Sequence, residues 1–377
     1  MNRRRFFALM GSIATSALLR GRDSRAASEQ PVNSQTQAIV AATGAFLNAL
    51  TPEQRDKVQF PFSSQLTATA AHFKGGMDGT MTFTGEQYGQ AMWSNFPVSD
   101  VPRPGLRLGS LRGDQRDAVM QMLRTLLSPM GYQKVLDIMG SDQALADRGT
   151  NFAAGRDVYT IGIFGAPSAT APWMVQFGGH HLALNITMIG EHGVLAPMLT
   201  GAQPAVYTSD GKTVRALGRE NDRAFDLLHS LDEDQRKQAT IEHDVSELVL
   251  GPGHDGETPP PEGLKAPALN PRQRILLLDL ISEWACIVND IYAAPRLLEI
   301  KAGLNDTFFA WSGPTTHEPD RNGAAYFRIQ GPKLFIEFSP QQPGGDLTMH
   351  VHTIYRDPTN GYGRAFVGQS AGTAKKS

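Results

Sequence analysis

Met349-His350-Val351-His352 places two imidazoles two residues apart. In an extended strand alternate side chains share a face, so both rings project to one side, roughly 6.5–7 Å apart at Cα, with Val351 opposite. Neutral imidazoles so placed can converge on one ion. Glu337 stands in the preceding apolar run between Ile336 and Phe338. Folding a hairpin about residues 339–346, rich in Pro, Gly and Gln, sets Glu337 opposite residue 348 or 350 on the histidine face. Two histidines and a carboxylate on facing strands suit zinc, iron or copper.

A second pair, His180-His181, behaves differently because adjacent strand residues point to opposite faces. His181 shares its face with Asn185 and Thr187 and is the favoured ligand, unless Gly178-Gly179 makes a bulge that turns both rings inward. Glu191-His192 follows closely and offers a further ligand or a group to orient one. His229, His243, His254 and His317 lie in polar or loop contexts, and His72 has no partner nearby in sequence. The competing reading of the paired histidines is a solvated face or a hydrogen-bonded core cluster. Arg356, before Asp357-Pro358, and Arg328, in Tyr326-Phe327-Arg328-Ile329, can each clamp an anionic substrate or hold strand ends through a buried Arg–acid pair. The metal candidates are thus His180, His181, His350, His352 and Glu337. The catalytic candidates are Glu337, Arg356 and Arg328.

These residues need elements to position them. Leu, three residues, then Gln-Arg recurs at 50–55, 111–116, 231–236 and 269–274. Three copies put Thr51, Asp232 or Asn270 after the leucine and a Gln three positions later, which is capping-box spacing, and Pro52 and Pro271 take the first helical position. Each copy therefore opens a helix. The irregular spacing and the lack of a 30–50-residue period argue against a repeat array. Blocks 158–164 and 173–189 read as strands. A helical segment at 272–301 precedes strands at 308–311, 325–329, 334–338 and 347–355. The predicted class is α+β, a mostly antiparallel sheet flanked by helices. Residues 251–267, rich in Pro and Gly, read as a linker or mobile loop within one domain spanning 29–367, followed by a disordered tail at 368–377. Gly251 to Gly256 spells a dinucleotide fingerprint, but prolines follow where a helix must begin. Gly368 to Gly372 spells a nucleophile elbow with no acid or histidine after it.

Met1-Asn2-Arg3-Arg4-Arg5-Phe6-Phe7 has the form of a twin-arginine export address, and residues 1–28 read as its signal peptide. They hold six arginines and one aspartate, so their removal takes the formal charge from −2 to about −7. A mildly acidic surface argues against nucleic acid as a partner, and no span is expected in the mature chain. The single cysteine, Cys286, excludes an internal disulfide and sits in an apolar run.

Several blocks taken together resemble the domain of unknown function 3500 family. They are Trp173 with Gly179-His180-His181-Leu182; Phe309-Ala310-Trp311-Ser312-Gly313; Tyr326-Phe327-Arg328-Ile329-Gln330-Gly331-Pro332 with Glu337; and His350-Val351-His352-Thr353 with Arg356-Asp357-Pro358, Asn360 and Tyr362-Gly363. The likeness runs from about residue 40 to 365. The family tends toward Asn-Asp-Tyr-Gly where this chain has Asn360-Gly361-Tyr362-Gly363. The resemblance implies export and carries no activity with it. The expected function is an exported, periplasmic or secreted metal-binding protein holding one zinc, iron or copper ion. It would be a hydrolase or oxidoreductase acting on a small molecule, anionic where an arginine orients it, with the twin-arginine machinery as its export partner. The alternatives are a non-catalytic metal carrier and a ligand-binding module with structural histidines.

Overall fold

The computed structural model describes residues 33–76, 78–150 and 155–367; the expected signal peptide at 1–28 and tail at 368–377 lie outside them. The chain is built twice over. The first half runs α1 (Ser34–Asn48), α2 (Pro52–Val58) and β1 (Gln59–Phe60), then an insert bearing β2 (Thr69–Gly75), β3 (Met81–Tyr88) and β4 (Ala91–Trp93). It continues through β5 (Leu106–Arg107), α3 (Gly113–Leu126) and α4 (Pro129–Asp147) into a meander of β6 (Thr160–Phe164), β7 (Trp173–Gly179), β8 (Leu182–Ile189) and β9 (His192–Ala202). A hairpin of β10 (Val206–Ser209) and β11 (Lys212–Arg215) leads on. The second half repeats the order: α5 (Gly218–Ser230), α6 (Glu233–Ala239), a second insert at 242–263, β12 (Leu264–Lys265), α7 (Pro271–Ala285) and α8 (Asp290–Ala302). Its meander is β13 (Phe308–Ser312), β14 (Tyr326–Gly331), β15 (Leu334–Pro340) and β16 (Val351–Arg356).

The last strands of the two meanders, β9 and β16, pair antiparallel, giving one large sheet in the order β1-β6-β7-β8-β9-β16-β15-β14-β13-β12. The registers repeat as well. Ile161 faces Phe177 as Phe309 faces Ile329, and Leu106 faces Ile161 as Leu264 faces Phe309. Gln59 pairs in parallel with Ile163 as Thr240 does with Trp311. The class is α+β, as the sequence predicts.

This duplication explains the four Leu-x-x-x-Gln-Arg motifs, which begin α2, α3, α6 and α7. Thr51, Asp232 and Asn270 each form the expected capping box. The copies also bond in equivalent pairs: Gln115 Nε2 donates to Gln54 Oε1 at 2.8 Å, and Gln273 Nε2 to Gln235 Oε1 at 2.8 Å. The repeat unit is therefore half the chain, a period too long to show as a short array.

Helices and inserts cover opposite faces of the sheet. On one face Trp284 of α7 donates its indole N–H to Thr353 Oγ1 at 2.9 Å. On the other, Trp93 of the first insert and Leu248 of the second pack on Ala183, Leu199 and Ile354. Cover on both faces is why β6, β7 and β8 are buried at every position, the polar Gln176 and Asn185 included. Two expectations need correction. The helical segment 272–301 breaks at residues 286–289, where Val288 makes a strand bridge to Leu127. The strand block 173–189 is a hairpin that turns at His180-His181, with His181 in the left-handed region at φ 62°. Neither histidine lies within a strand or a bulge.

Candidate metal centre

Three imidazoles converge where the β7–β8 turn meets the start of β16. His181 Nε2 lies 3.1 Å from His350 Nε2, and His350 Nε2 lies 3.2 Å from His352 Nε2. Three nitrogens bound to one ion at 2.0–2.1 Å stand roughly 3.3–3.4 Å apart in tetrahedral geometry and about 2.9–3.0 Å apart at right angles. The observed spacings fall between the two. Ligand atoms of the three residues all lie within 4.8 Å of one another, and all three side chains are buried. This group can hold a metal ion.

The surroundings fix how the rings present themselves. His350 Nδ1 lies 2.8 Å from the carbonyl of Pro343, which can only accept, so that nitrogen carries the proton. His352 Nδ1 lies 3.2 Å from Glu247 Oε1 and donates to it. Burial pushes Glu247 up, but His352, the Leu248 amide and His350 outweigh it and leave the carboxyl below its usual range. Both rings therefore turn Nε2 lone pairs toward each other, an arrangement that repels unless a cation lies between. His181 Nδ1 is buried with no hydrogen-bond partner. Its backbone N–H donates to the carbonyl of Asn95 at 3.2 Å, and Arg103 donates to the preceding Gly179 carbonyl at 3.2 Å. A residue strained into φ 62° is thus tied down by the first insert.

Burial, reinforced by His352, pushes His350 down to about 3. Burial and the neighbouring imidazoles likewise hold His181 well below its ordinary value. Neutral imidazoles are what a metal requires. In the unfolded chain the same groups titrate near 6.5. Below that pH the unfolded state takes up protons that the native state refuses, so metal-stripped protein should lose stability as pH falls from about 6.5 toward 3. The slope reaches about 1.4 kcal/mol per pH unit per group. Urea midpoints in EDTA at pH 7.5, 6 and 5 read this in a window above the usual carboxylate range, and a flat profile would count against buried neutral rings.

The two histidines of the turn divide their roles. His180 Nδ1 lies 2.7 Å from Asp142 Oδ1 on α4, and Asp142, His180 and His181 form a second group able to hold an ion. The His180 and His181 rings stack at 3.7 Å and 28°, however. Stacking sets their in-plane lone pairs side by side rather than converging, which favours the His181–His350–His352 group.

The remaining candidates are brought elsewhere. Glu337 faces Ile354, not residue 348 or 350, because β15 runs on to Pro340 and the hairpin closes only at Gln341 and His350. It accepts from the Val249 and Leu250 amides at 2.8 and 2.9 Å and from the Tyr326 hydroxyl at 2.6 Å, and it is not one of the converging donors. Burial raises its carboxyl against the pull of those bonds and of Arg328. Arg356 uses four of its five N–H groups on Glu86 and the carbonyls of Leu250 and Gly251. Arg328 pairs with Glu262. Arg356 thus lies in a buried pair, whereas the Glu262 partner of Arg328 is 39% exposed. His192 stacks on Phe366 and lines a cavity of about 170 Å³ with Tyr292, Arg296 and Tyr355 on the helix side of the sheet, away from the triad. The stretch expected as a mobile linker is bonded along its length, through Gly253 to Glu86 and through Asp255 to Ala68 and Arg364.

Asp142, Asn95 and Glu247 went unread because no spacing links them to the histidines they touch. They lie 38, 257 and 105 residues away in sequence from those partners.

The family model for a protein of unknown function, DUF3500, matches residues 76–364, well over half of the chain. The chain belongs to the DUF3500 family. That match covers the triad, the second half with its insert, and the first half from the β2–β3 turn onward, so α1, α2, β1 and β2 lie before it. No curated protein and no solved structure matches this DUF3500 chain.

Proposed function

We propose that this chain is an exported metal-dependent enzyme, a hydrolase or an oxidoreductase, in which His181, His350 and His352 hold one zinc, iron or copper ion. The observation that carries the reading is the convergence of three Nε2 atoms at 3.1 and 3.2 Å, with protons placed on the far nitrogens of His350 and His352. Three protein ligands leave a coordination position for water or substrate, the arrangement of catalytic rather than structural sites. Among the described residues the group closes at three donors, because Glu247 is engaged by His352 Nδ1. The ion would act as a Lewis acid and lower the pKa of bound water if zinc, or support oxygen chemistry if iron or copper. Export rests on Arg3-Arg4-Arg5-Phe6-Phe7, and folding before export would let the metal be selected in the cytoplasm.

Burial favours a second reading. His181, His350 and His352 are 1%, 6% and 4% exposed, which suits non-catalytic metal retention as well. Fractionating the native cell and measuring metal in the purified protein tests the first points together. About one equivalent of a transition metal in protein from the exported fraction is expected; a metal-free or purely cytoplasmic protein would sink the proposal. Azide binding to the cobalt-loaded protein then separates the readings, since an open position shifts the visible spectrum and a closed one does not.

A further inference from the structure

The duplication assigns a role to Glu337 that its sequence position concealed. In the first half Gln176 faces Asn185 across β7 and β8, with Gln176 Nε2 donating to Asn185 Oδ1 at 2.7 Å. In the second, Arg328 faces Glu337 across β14 and β15. The two pairs occupy equivalent places on the insert-covered face, and each holds down its own insert. Gln176 Oε1 accepts the Met92 amide at 3.4 Å. Glu337 accepts the Val249 and Leu250 amides at 2.8 and 2.9 Å, one to each carboxylate oxygen.

Both inserts then reach the same imidazole. Three residues beyond Met92, Asn95 borders the ring, its Nδ2 3.4 Å from His352 Nδ1, while the proton on that nitrogen goes to Glu247. Two residues before Val249, Glu247 Oε1 lies 3.2 Å from the same nitrogen. Glu247 is half exposed and comes from a segment with no regular structure; its Oε1 also accepts from Gln341 Nε2 at 3.2 Å and from the Leu248 amide at 2.8 Å. Glu337 is fully buried, and its hydroxyl partner Tyr326 sits on the adjoining strand. It holds the two residues that follow Leu248, which is itself packed on Ile354 beside Glu247.

We propose that Glu337 is a positioning residue of the metal centre: by clamping Val249 and Leu250 it sets Glu247 against His352 Nδ1 and so aims His352 Nε2 at the ion. This rests on the metal reading above. Glu337 itself touches no ligand atom. Groups that orient a metal-bound histidine typically change affinity 10–100-fold when removed, and an anchor acting through such a group shares that effect instead of adding to it.

The test is a double-mutant cycle on the full mature chain, using Zn2+ alone and a competing chromogenic chelator. Glu337→Gln and Glu247→Gln should each weaken zinc binding 10–100-fold. The double variant should bind within about twofold of Glu247→Gln, because the clamp has nothing left to position. Losses that multiply would show Glu337 acting on fold stability alone and overturn the proposal, as would a Glu337→Gln variant that binds zinc like the wild type. Should Glu337→Gln fail to fold, Tyr326→Phe removes one bond to the carboxylate; a smaller loss that disappears in the Glu247→Gln background supports the clamp, and one that persists overturns it. A wild type that binds no zinc, iron or copper would overturn the metal reading beneath it, an outcome distinct from additive losses in a chain that does bind.

Discussion

Replacing His350 and His352 together with alanine should drop the metal content of the purified protein from about one equivalent per chain to background, while the fold survives. The two side chains supply two of the three converging nitrogens, and alanine offers neither donor nor bridge. One imidazole cannot retain an ion against a chelator, so the expected loss of affinity exceeds about a thousandfold, or roughly 4 kcal/mol. The effect on folding should be much smaller. In metal-free protein the two Nε2 lone pairs oppose each other at 3.2 Å, so removing them relieves a repulsion while opening space for water. Elemental analysis and thermal unfolding in EDTA read the two effects separately. Equal, low metal content in wild type and variant would dismiss the centre; a variant that loses both metal and fold would recast the histidines as core structure.

The second large effect lies at Arg356, and it falls on stability. Burial disfavours the guanidinium, but Glu86 and the neighbouring Asp255 outweigh that and hold it firmly charged. Glu86 is fully buried and bonded also by the Tyr362 hydroxyl at 2.7 Å and the Gly253 amide at 2.9 Å. Arg356→Ala therefore strands a carboxylate in the interior and frees the carbonyls of Leu250 and Gly251. Breaking one side of a buried pair costs about 3–5 kcal/mol, and urea unfolding at pH 7 should show that loss. A change below about 1 kcal/mol, with metal binding or turnover impaired instead, would restore the anion-clamp role and remove the structural one. The pair joins β16 to β3 of the first insert and to the second insert at once, so its loss should loosen the cover over the histidines as well.

Much of this was legible in the sequence. Capping boxes at Thr51, Asp232 and Asn270 are local chemistry, satisfied within four residues, and they formed as their spacing requires. The α+β class followed from helical and strand periods for the same reason. His350 and His352 were readable because an i, i+2 pair at the mouth of a strand needs only the period of the strand to share a face.

What went unread depends on contacts that sequence distance hides. The side of a hairpin on which Glu337 falls follows from strand alternation, but the residue it meets depends on where the loop closes, and closure at Gln341 and His350 moved the partner from residue 348 or 350 to Ile354. His180-His181 reads as strand because its flanks are apolar, yet the backbone turns there, held by an Asn95 carbonyl 86 residues away. The duplication lay in the order of elements and their registers, with inserts of unequal length blurring its period. By itself the sequence determined which residue types could bind a metal and which helices would form, since those are short-range questions of donor chemistry and backbone satisfaction. Only the tertiary structure decided that His181 completes the triad, that Glu247 and Pro343 set the tautomers, and that Glu337 holds an insert instead of an ion. Each of those depends on two or more chain segments brought to hydrogen-bond distance by packing on a shared sheet.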